Sequence, residues 1–220
     1  MQGKLIVIES GTDASGKTTQ YNKLFRRLKQ EGHNITRVEY PNYNDRSSAL
    51  VKMYLDGEFG EDPRAVNLYA ASTFYAVDRF ASYQKEWKEL YEKGSIILAD
   101  RYTTSNMIHQ ASKIEDYKDR EEYLNWLTDL EFKKFGLPRP EIVLFLDMPP
   151  RYSMKLLNKR THKDIHEKNL EYMQDTYKNA CWIADKYNWE KIKCVEGSRV
   201  KSIDEIHHKV YTIIKRRLLS

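Results

Sequence analysis

Short apolar runs separated by longer amphipathic stretches set the rhythm of this chain. Four runs stand out, at residues 5–8 (LIVI), 96–99 (IILA), 142–146 (IVLFL) and 192–195 (IKCV), with a weaker fifth at 34–40 (NITRVEY). Apolar residues occupy successive rather than alternate positions, which suits strands covered on both faces, as in a parallel sheet. The intervening stretches carry helix signals. Residues 18–30 are periodic and stop at Gly32, a C-terminal cap. Asp62 and Pro63 read as an N-cap and a proline at the first helical position, opening a pattern of about thirty residues that runs to Gly94. Ser202-Ile203-Asp204-Glu205 reads as a capping box that opens the last helix. Strands alternating with helices imply right-handed crossovers and a doubly wound α/β fold, which binds ligands beyond the carboxyl ends of its strands. No repeat, low-complexity tract or Pro/Gly/Ser linker interrupts the pattern, so residues 1–220 are expected to form one domain.

Composition narrows the class. The chain of 220 residues is 40% hydrophobic and 31% charged, and it holds 16 tyrosines, seven phenylalanines and four tryptophans. That aromatic content excludes disorder by composition. The longest apolar run is the five residues 142–146, where a membrane span needs about 20. The first apolar stretch is too short for a signal peptide and is followed by Glu9, so a cytoplasmic location is expected. Cys181 and Cys194 have neither metal nor redox spacing and are expected to be reduced thiols. The formal net charge of +5 suggests contact with anions. Because the charges are well mixed, with no basic block beyond pairs such as Arg26-Arg27, nucleic acid is not the expected partner.

The chemistry enters after the first strand. Gly11-Thr12-Asp13-Ala14-Ser15-Gly16-Lys17-Thr18 is a full G-x-x-x-x-G-K-S/T match. The glycines let the backbone wrap so that consecutive amides point at phosphate oxygens, and the following helix adds the positive end of its dipole. Lys17 then reaches the β and γ phosphates, and the Thr18 hydroxyl ligates Mg²⁺. This is a nucleoside triphosphate site, but such a loop serves many reactions.

Three further features discriminate among them. Asp100-Arg101-Tyr102 ends the strand at 96–99. Asp100 there can hold the metal or take a proton, and Arg101 offers a bidentate fork to an acceptor phosphate; the bland alternative is a strand-end ion pair. Tyr75 and Arg79 stand i,i+4 and share a helix face, where they can stack a base and bond its edge, or be simply a core tyrosine and a surface arginine. Lys155, Lys159, Arg160, Lys163 and Lys168 surround Thr161-His162-Lys163-Asp164. They form either a solvated helix end or a lid, about residues 151–168, that neutralises the transferring phosphoryl group.

Taken together, these blocks resemble the thymidylate kinase family of the nucleoside monophosphate kinase superfamily, over essentially the whole chain. The resemblance rests on LIVIESGTDASGKTTQ at 5–20, Tyr40-Pro41 followed by Tyr54-Leu55, Tyr75-Ala76-Val77-Asp78-Arg79, Leu98 to Asn106 (LADRYTTSN), and Phe145 to Pro150 (FLDMPP). It implies phosphoryl transfer from ATP to dTMP with Mg²⁺, a five-stranded parallel sheet of order 2-3-1-4-5 with helices on both faces, and a homodimer. Carried over, Asp13 bonds the sugar 3′-hydroxyl, Tyr75 stacks on thymine, Arg79 reaches its edge, and Asn106, beside Ser105, contacts the base. Arg101 holds the acceptor phosphate and Asp100 lies near the metal, while residues 11–19 (Gly11 through Thr18, and Thr19) serve ATP.

The departures are equally specific. Ser10 is an extra residue between Glu9 and Gly11. Tyr43 stands where the family carries a phosphate-gripping arginine, with Arg46 three residues on as a substitute. Ala14 follows the loop aspartate where some members place a catalytic arginine, which points to Arg160 in the lid, with Lys159 or Lys163 behind it. The lid's Asp-Arg pair reads Asp164-Ile165. Rival readings are another nucleoside monophosphate kinase, a deoxynucleoside kinase, a nucleotide-binding regulatory protein without an acceptor, and a nucleic-acid-binding module.

Overall fold

In the computed structural model, which describes residues 2–62, 64–157 and 170–219, five parallel strands lie in the order β2-β3-β1-β4-β5. They are β1 (Lys4–Ser10), β2 (Ile35–Glu39), β3 (Ile96–Asp100), β4 (Ile142–Asp147) and β5 (Glu190–Lys193). Their residues alternate between two cores, as apolar runs on both parities require. On one face Leu5, Val7, Ile97, Ala99, Val143 and Phe145 pack with Trp87, Tyr91, Tyr102, Tyr123 and Ile183. On the other, Ile6, Ile8, Leu98, Leu144, Leu146 and Ile192 pack with Tyr21, Leu24, Leu28, Ile206 and Val210. The first core is covered by α3 (Leu68–Ser82), α4 (Lys88–Glu92), α5 (Thr103–His109), α6 (Tyr117–Thr128) and α8 (Leu170–Lys186). The second is covered by α1 (Lys17–Gln30) and α9 (Ile203–Ile214). Two shorter helices, α2 (Ala49–Asp56) and α7 (Pro150–Leu157), flank the carboxyl ends of β2 and β4.

Helix boundaries follow their caps. After α1 the chain turns at Gly32, whose φ of +85° favours glycine, while His33 N–H bonds the Leu28 carbonyl at 3.0 Å. The capping box before α9 is complete: Glu205 N–H donates to Ser202 Oγ, and Ser202 N–H to Glu205 Oε2.

Two expectations need correction. The long helix does not open at Asp62, whose carboxylate closes a local turn onto Arg64 N–H at 2.7 Å; Pro63 lies outside the described residues. Asn67 caps the helix instead, accepting from Tyr69 N–H at 2.8 Å. From Leu68 the helical backbone runs unbroken to Glu92, close to the expected end at Gly94. A wide π turn, Tyr83–Trp87, lies within it between α3 and α4. The extra residue in such a turn rotates α4 relative to α3, and Trp87 is completely buried. The last strand also shifts, to Glu190–Lys193, because Gly197 (φ +59°) turns the chain into a hairpin that pairs β6 (Val195–Glu196) with β7 (Arg199–Val200).

The relocated helix start carries a test. Asn67→Ala should lower the free energy of unfolding by about 1 kcal/mol, the usual worth of a side-chain cap. Asp62→Ala should cost well under half as much, and urea denaturation of the two variants separates them. An equal loss would return the helix start to Asp62.

Candidate active site

The phosphate loop is shaped by two glycines for different reasons. A Cβ on Gly11 would stand 2.7 Å from Ala180 Cβ of α8, so residue 11 is small because a helix passes against it. Gly16 has open space around it but a φ of +86°, so it is glycine for its backbone. Ala14 also adopts a left-handed φ of +56°. Such reversals turn successive amides toward one concavity. The additional Ser10 is absorbed by β1, where it pairs opposite Leu146, and its hydroxyl donates to the Thr12 carbonyl at 2.8 Å. Thr12 Oγ1 in turn donates to the Met148 carbonyl at 3.0 Å, tying the loop to the end of β4. Residues Thr12 to Thr19 line a groove together with Asp100, Arg101, Met148, Lys201 and Ile203.

At the floor of the groove Lys17 Nζ donates to Asp100 Oδ1. Burial lowers the proton affinity of this ammonium, and Arg101 pushes the same way against the pull of Asp100. Next along β3, Arg101 holds a left-handed φ of +66°, a strained conformation for a non-glycine residue. Its Nη2 donates to Asp13 Oδ1 at 2.5 Å, and its Nη1 meets His109 Nε2 at 3.0 Å. Burial works against the guanidinium's charge, but Asp13, Glu9 and Asp100 outweigh it and hold its pKa above the ordinary value.

Beyond Arg101 lies a second, partly open cleft lined by Tyr43, Leu55, Tyr75, Arg79, Ser105, Asn106, His109 and Gln110. Asp13, Tyr40, Pro41, Tyr43 and Arg101 belong to both spaces. The groove and the cleft are therefore one crevice with an arginine–aspartate pair at its waist.

Each wall residue is braced from behind. Tyr75 meets the buried Tyr54 edge-on, with ring centroids 6.3 Å apart. Arg79 is neither a surface arginine nor a free one. It is 1% exposed and forks onto Glu131, with Nε–Oε2 at 2.7 Å and Nη2–Oε1 at 2.6 Å. Burial opposes the Arg79 charge, yet Glu131 holds its pKa above the usual range. Asn106 Nδ2 donates to the Ser72 carbonyl at 3.1 Å. Ser105 and Thr104 hydroxyls both donate to Glu9 Oε1, at 2.6 and 2.7 Å. Burial raises the Glu9 pKa against the pull of Arg101, and its Oε2 has no hydrogen-bond partner among the described residues. Tyr43 is exposed at the mouth. Arg46 opens a 3-10 turn, is exposed and lines neither space. Arg160, Lys159 and Lys163 lie outside the described residues.

Two residues escape sequence reasoning. Glu131 sits on a π turn, Asp129–Lys134, far in sequence from Arg79 and Thr103, both of which it accepts from. Asp78 is 1% exposed and ties down the segment after β2, accepting from Asn42 N–H at 2.8 Å and Ser47 Oγ at 2.5 Å. Its place beside Arg79 in the helix motif is the available signal.

A thymidylate kinase family model matches residues 8–210. The chain belongs to the thymidylate kinase family. It is 28% identical to a probable thymidylate kinase of Thermococcus gammatolerans over 99% of both chains, and 25% identical to a thymidylate kinase of Prochlorococcus marinus over 99% of this chain and all of that one. Among solved structures, the thymidylate kinase of Candida albicans superposes with a TM-score of 0.72 over 98% of this chain and 92% of its own, at 21% identity. That of Ehrlichia chaffeensis superposes with a TM-score of 0.68 at 18% identity, over 97% of this chain and 100% of its own. These two establish the shared thymidylate kinase fold. Family membership makes the protein an ATP-dependent kinase that phosphorylates dTMP to dTDP.

The buried pair behind the cleft yields a prediction for this thymidylate kinase. Glu131→Gln strands the Arg79 charge and should cost about 3–5 kcal/mol of stability, whereas Arg79→Met combined with Glu131→Leu should cost distinctly less. Chemical denaturation of the three proteins checks the order.

Proposed function

We propose that the loop groove holds ATP and the second cleft holds dTMP, with the γ-phosphoryl group passing between them beside Arg101. The observation that carries this division is the shared waist: the two spaces meet at Asp13 and Arg101. A nucleotide-binding protein without an acceptor has no use for the second, aromatic-walled cleft. A nucleic-acid module would present an open basic face instead.

In this reading the loop amides and Lys17 take the donor phosphates, Lys17 exchanging Asp100 for phosphate oxygens. Arg101 grips the acceptor phosphate, Asp13 the sugar 3′-hydroxyl, Tyr75 stacks on the base, and Arg79 and Asn106 meet its edge. Tyr43 closes the mouth, and Ser105 holds the near wall through Glu9. The donor set also fits Mg²⁺: the Thr18 hydroxyl and the Asp100 carboxylate line the same groove, and hard oxygens of this kind suit an ion that shares phosphate oxygens and keeps several waters. When bound, Mg²⁺ neutralises charge on the transferring group. The chain's own work is positioning and exclusion of water, since phosphoryl transfer needs little covalent chemistry from the protein.

We place the lid at residues 151–168 of a single kinase domain, with Arg160 as its catalytic cation. A homodimer is proposed through α3, where Tyr69, Val77 and Phe80 are large apolar side chains left exposed. No helix among the described residues is long and apolar enough to cross a membrane, and we assign the enzyme to the cytoplasm.

ADP release from Mg·ATP, measured with dTMP, dUMP, UMP, CMP, thymidine or no acceptor, tests the pocket assignments. Stimulation by dTMP well above the others is expected. A thymidine or ribonucleotide preference would discard the roles given to Asp13, Tyr75 and Asn106. Lys17→Ala and Arg101→Ala should each lower kcat/KM by about 10²-fold, or about 3 kcal/mol. Wild-type kinetics in either variant would remove its role.

A further inference from the structure

His109 ends α5 and lines the acceptor cleft, and the 3.0 Å contact between its Nε2 and Arg101 Nη1 has a chemical consequence. A guanidinium carries N–H donors and no acceptor, so the contact is a hydrogen bond only if Nε2 accepts. Acceptance at Nε2 requires a neutral imidazole with its proton on Nδ1.

We infer that His109 is a positioning residue for phosphoryl transfer: its neutral imidazole, protonated on Nδ1, holds the Nη1 edge of Arg101 so that the guanidinium faces the acceptor phosphate. The inference rests on the assignment of Arg101 to that phosphate. Asp13, which holds Nη2 through Oδ1, is also the residue assigned to the nucleotide sugar, so the Nη1 edge is left to His109. His109 lies outside the phosphate loop and keeps its hold. Its platform is held by several hydrogen bonds. The His109 carbonyl accepts from the Tyr172 hydroxyl at 3.0 Å and the Ser112 hydroxyl at 2.8 Å. Asn179 of α8 grips the preceding carbonyls of Met107 and Ile108 at 2.9 and 2.6 Å. The arrangement also explains how a strained Arg101 backbone is tolerated, since its side chain is clamped from two elements.

The surroundings disfavour a second cation at this point. From the loop His109 faces Asp13, already paired with Arg101. From α3 it shares the cleft with Tyr75 and with Arg79, a second guanidinium. After β2 comes Tyr43, and from α8 come Tyr172, Met173 and Thr176. Protonating His109 removes the lone pair that Arg101 uses and sets two cations side by side.

His109→Gln keeps a neutral acceptor near the position of Nε2 but does not titrate, and His109→Ala removes it. At pH 8, His109→Ala should lower kcat/KM for dTMP about tenfold with KM for ATP unchanged, while His109→Gln stays within about threefold of wild type. Equal damage to the ATP and dTMP constants in His109→Ala overturns the inference. Imidazole ¹⁵N shifts give a readout independent of catalysis and of the Arg101 assignment. They should report the Nδ1–H form in the wild type and a shift toward Nε2–H in Arg101→Ala; an Nε2–H form in the wild type overturns the inference.

Discussion

Two lysine and arginine charges and two carboxylates meet at the carboxyl ends of β1 and β3, and much of the site's geometry depends on how that meeting is aligned. Lys17 pairs with Asp100, and Arg101 with Asp13. The alignment is set by one ladder. Ile8 stands opposite Asp100, and the Arg101 amide bonds the Ile8 carbonyl at 3.2 Å. A slip of one residue between these strands would turn the Asp100 side chain to the other face and separate it from Lys17. Both faces of β1 and β3 are apolar, so that slip is opposed by the fit of individual side chains, Leu5, Val7, Ile97 and Ala99 in one core and Ile6, Ile8 and Leu98 in the other. Hydrophobic burial on both sides of the sheet thus fixes an electrostatic arrangement that burial alone would oppose. The two cations and two carboxylates neutralise one another in pairs.

Behind the acceptor cleft the interior is more polar than a small α/β core requires. Arg79 and Glu131 are both buried, and Glu131 also accepts from Thr103 at 2.6 Å. Glu9 gathers Thr104 and Ser105 from the first turn of α5. Each network joins an element that lines the cleft to one that does not, so the cleft walls are held by fixed hydrogen bonds rather than by packing alone. Such buried charge is a weak source of stability, because desolvation offsets most of the attraction. It confines side chains to one geometry instead, which is what the orientation of two nucleotides demands.

Local features of the sequence were legible because their physics is local. Five runs became five strands, most plainly β1, β3 and β4, since a run apolar on both parities has only a sheet covered on both faces in which to bury itself. The phosphate loop and the capping box before α9 are written in consecutive residues, whose amides and side chains reach one another without help from the rest of the fold. The start of α3 is ambiguous in sequence because Asp62 and Asn67 are both competent caps. Which of them caps depends on where α3 packs, and tertiary contact settles that.

What remained hidden involves partners far apart in the chain. Nothing near Glu131 announces that it will fork onto Arg79 or accept from Thr103, and Arg79 read in isolation suggests an exposed helix position. His109 carries no distinguishing pattern, yet the left-handed turn at Arg101 and the pinned end of α5 bring its ring to the guanidinium. Residue types and their local order determined the strands, the loop and the phosphate chemistry, because those depend on burial and on backbone conformation over a few residues. The three-dimensional packing of helices onto the sheet decided which charges meet, because electrostatic partnership depends on distances that only the assembled registers define.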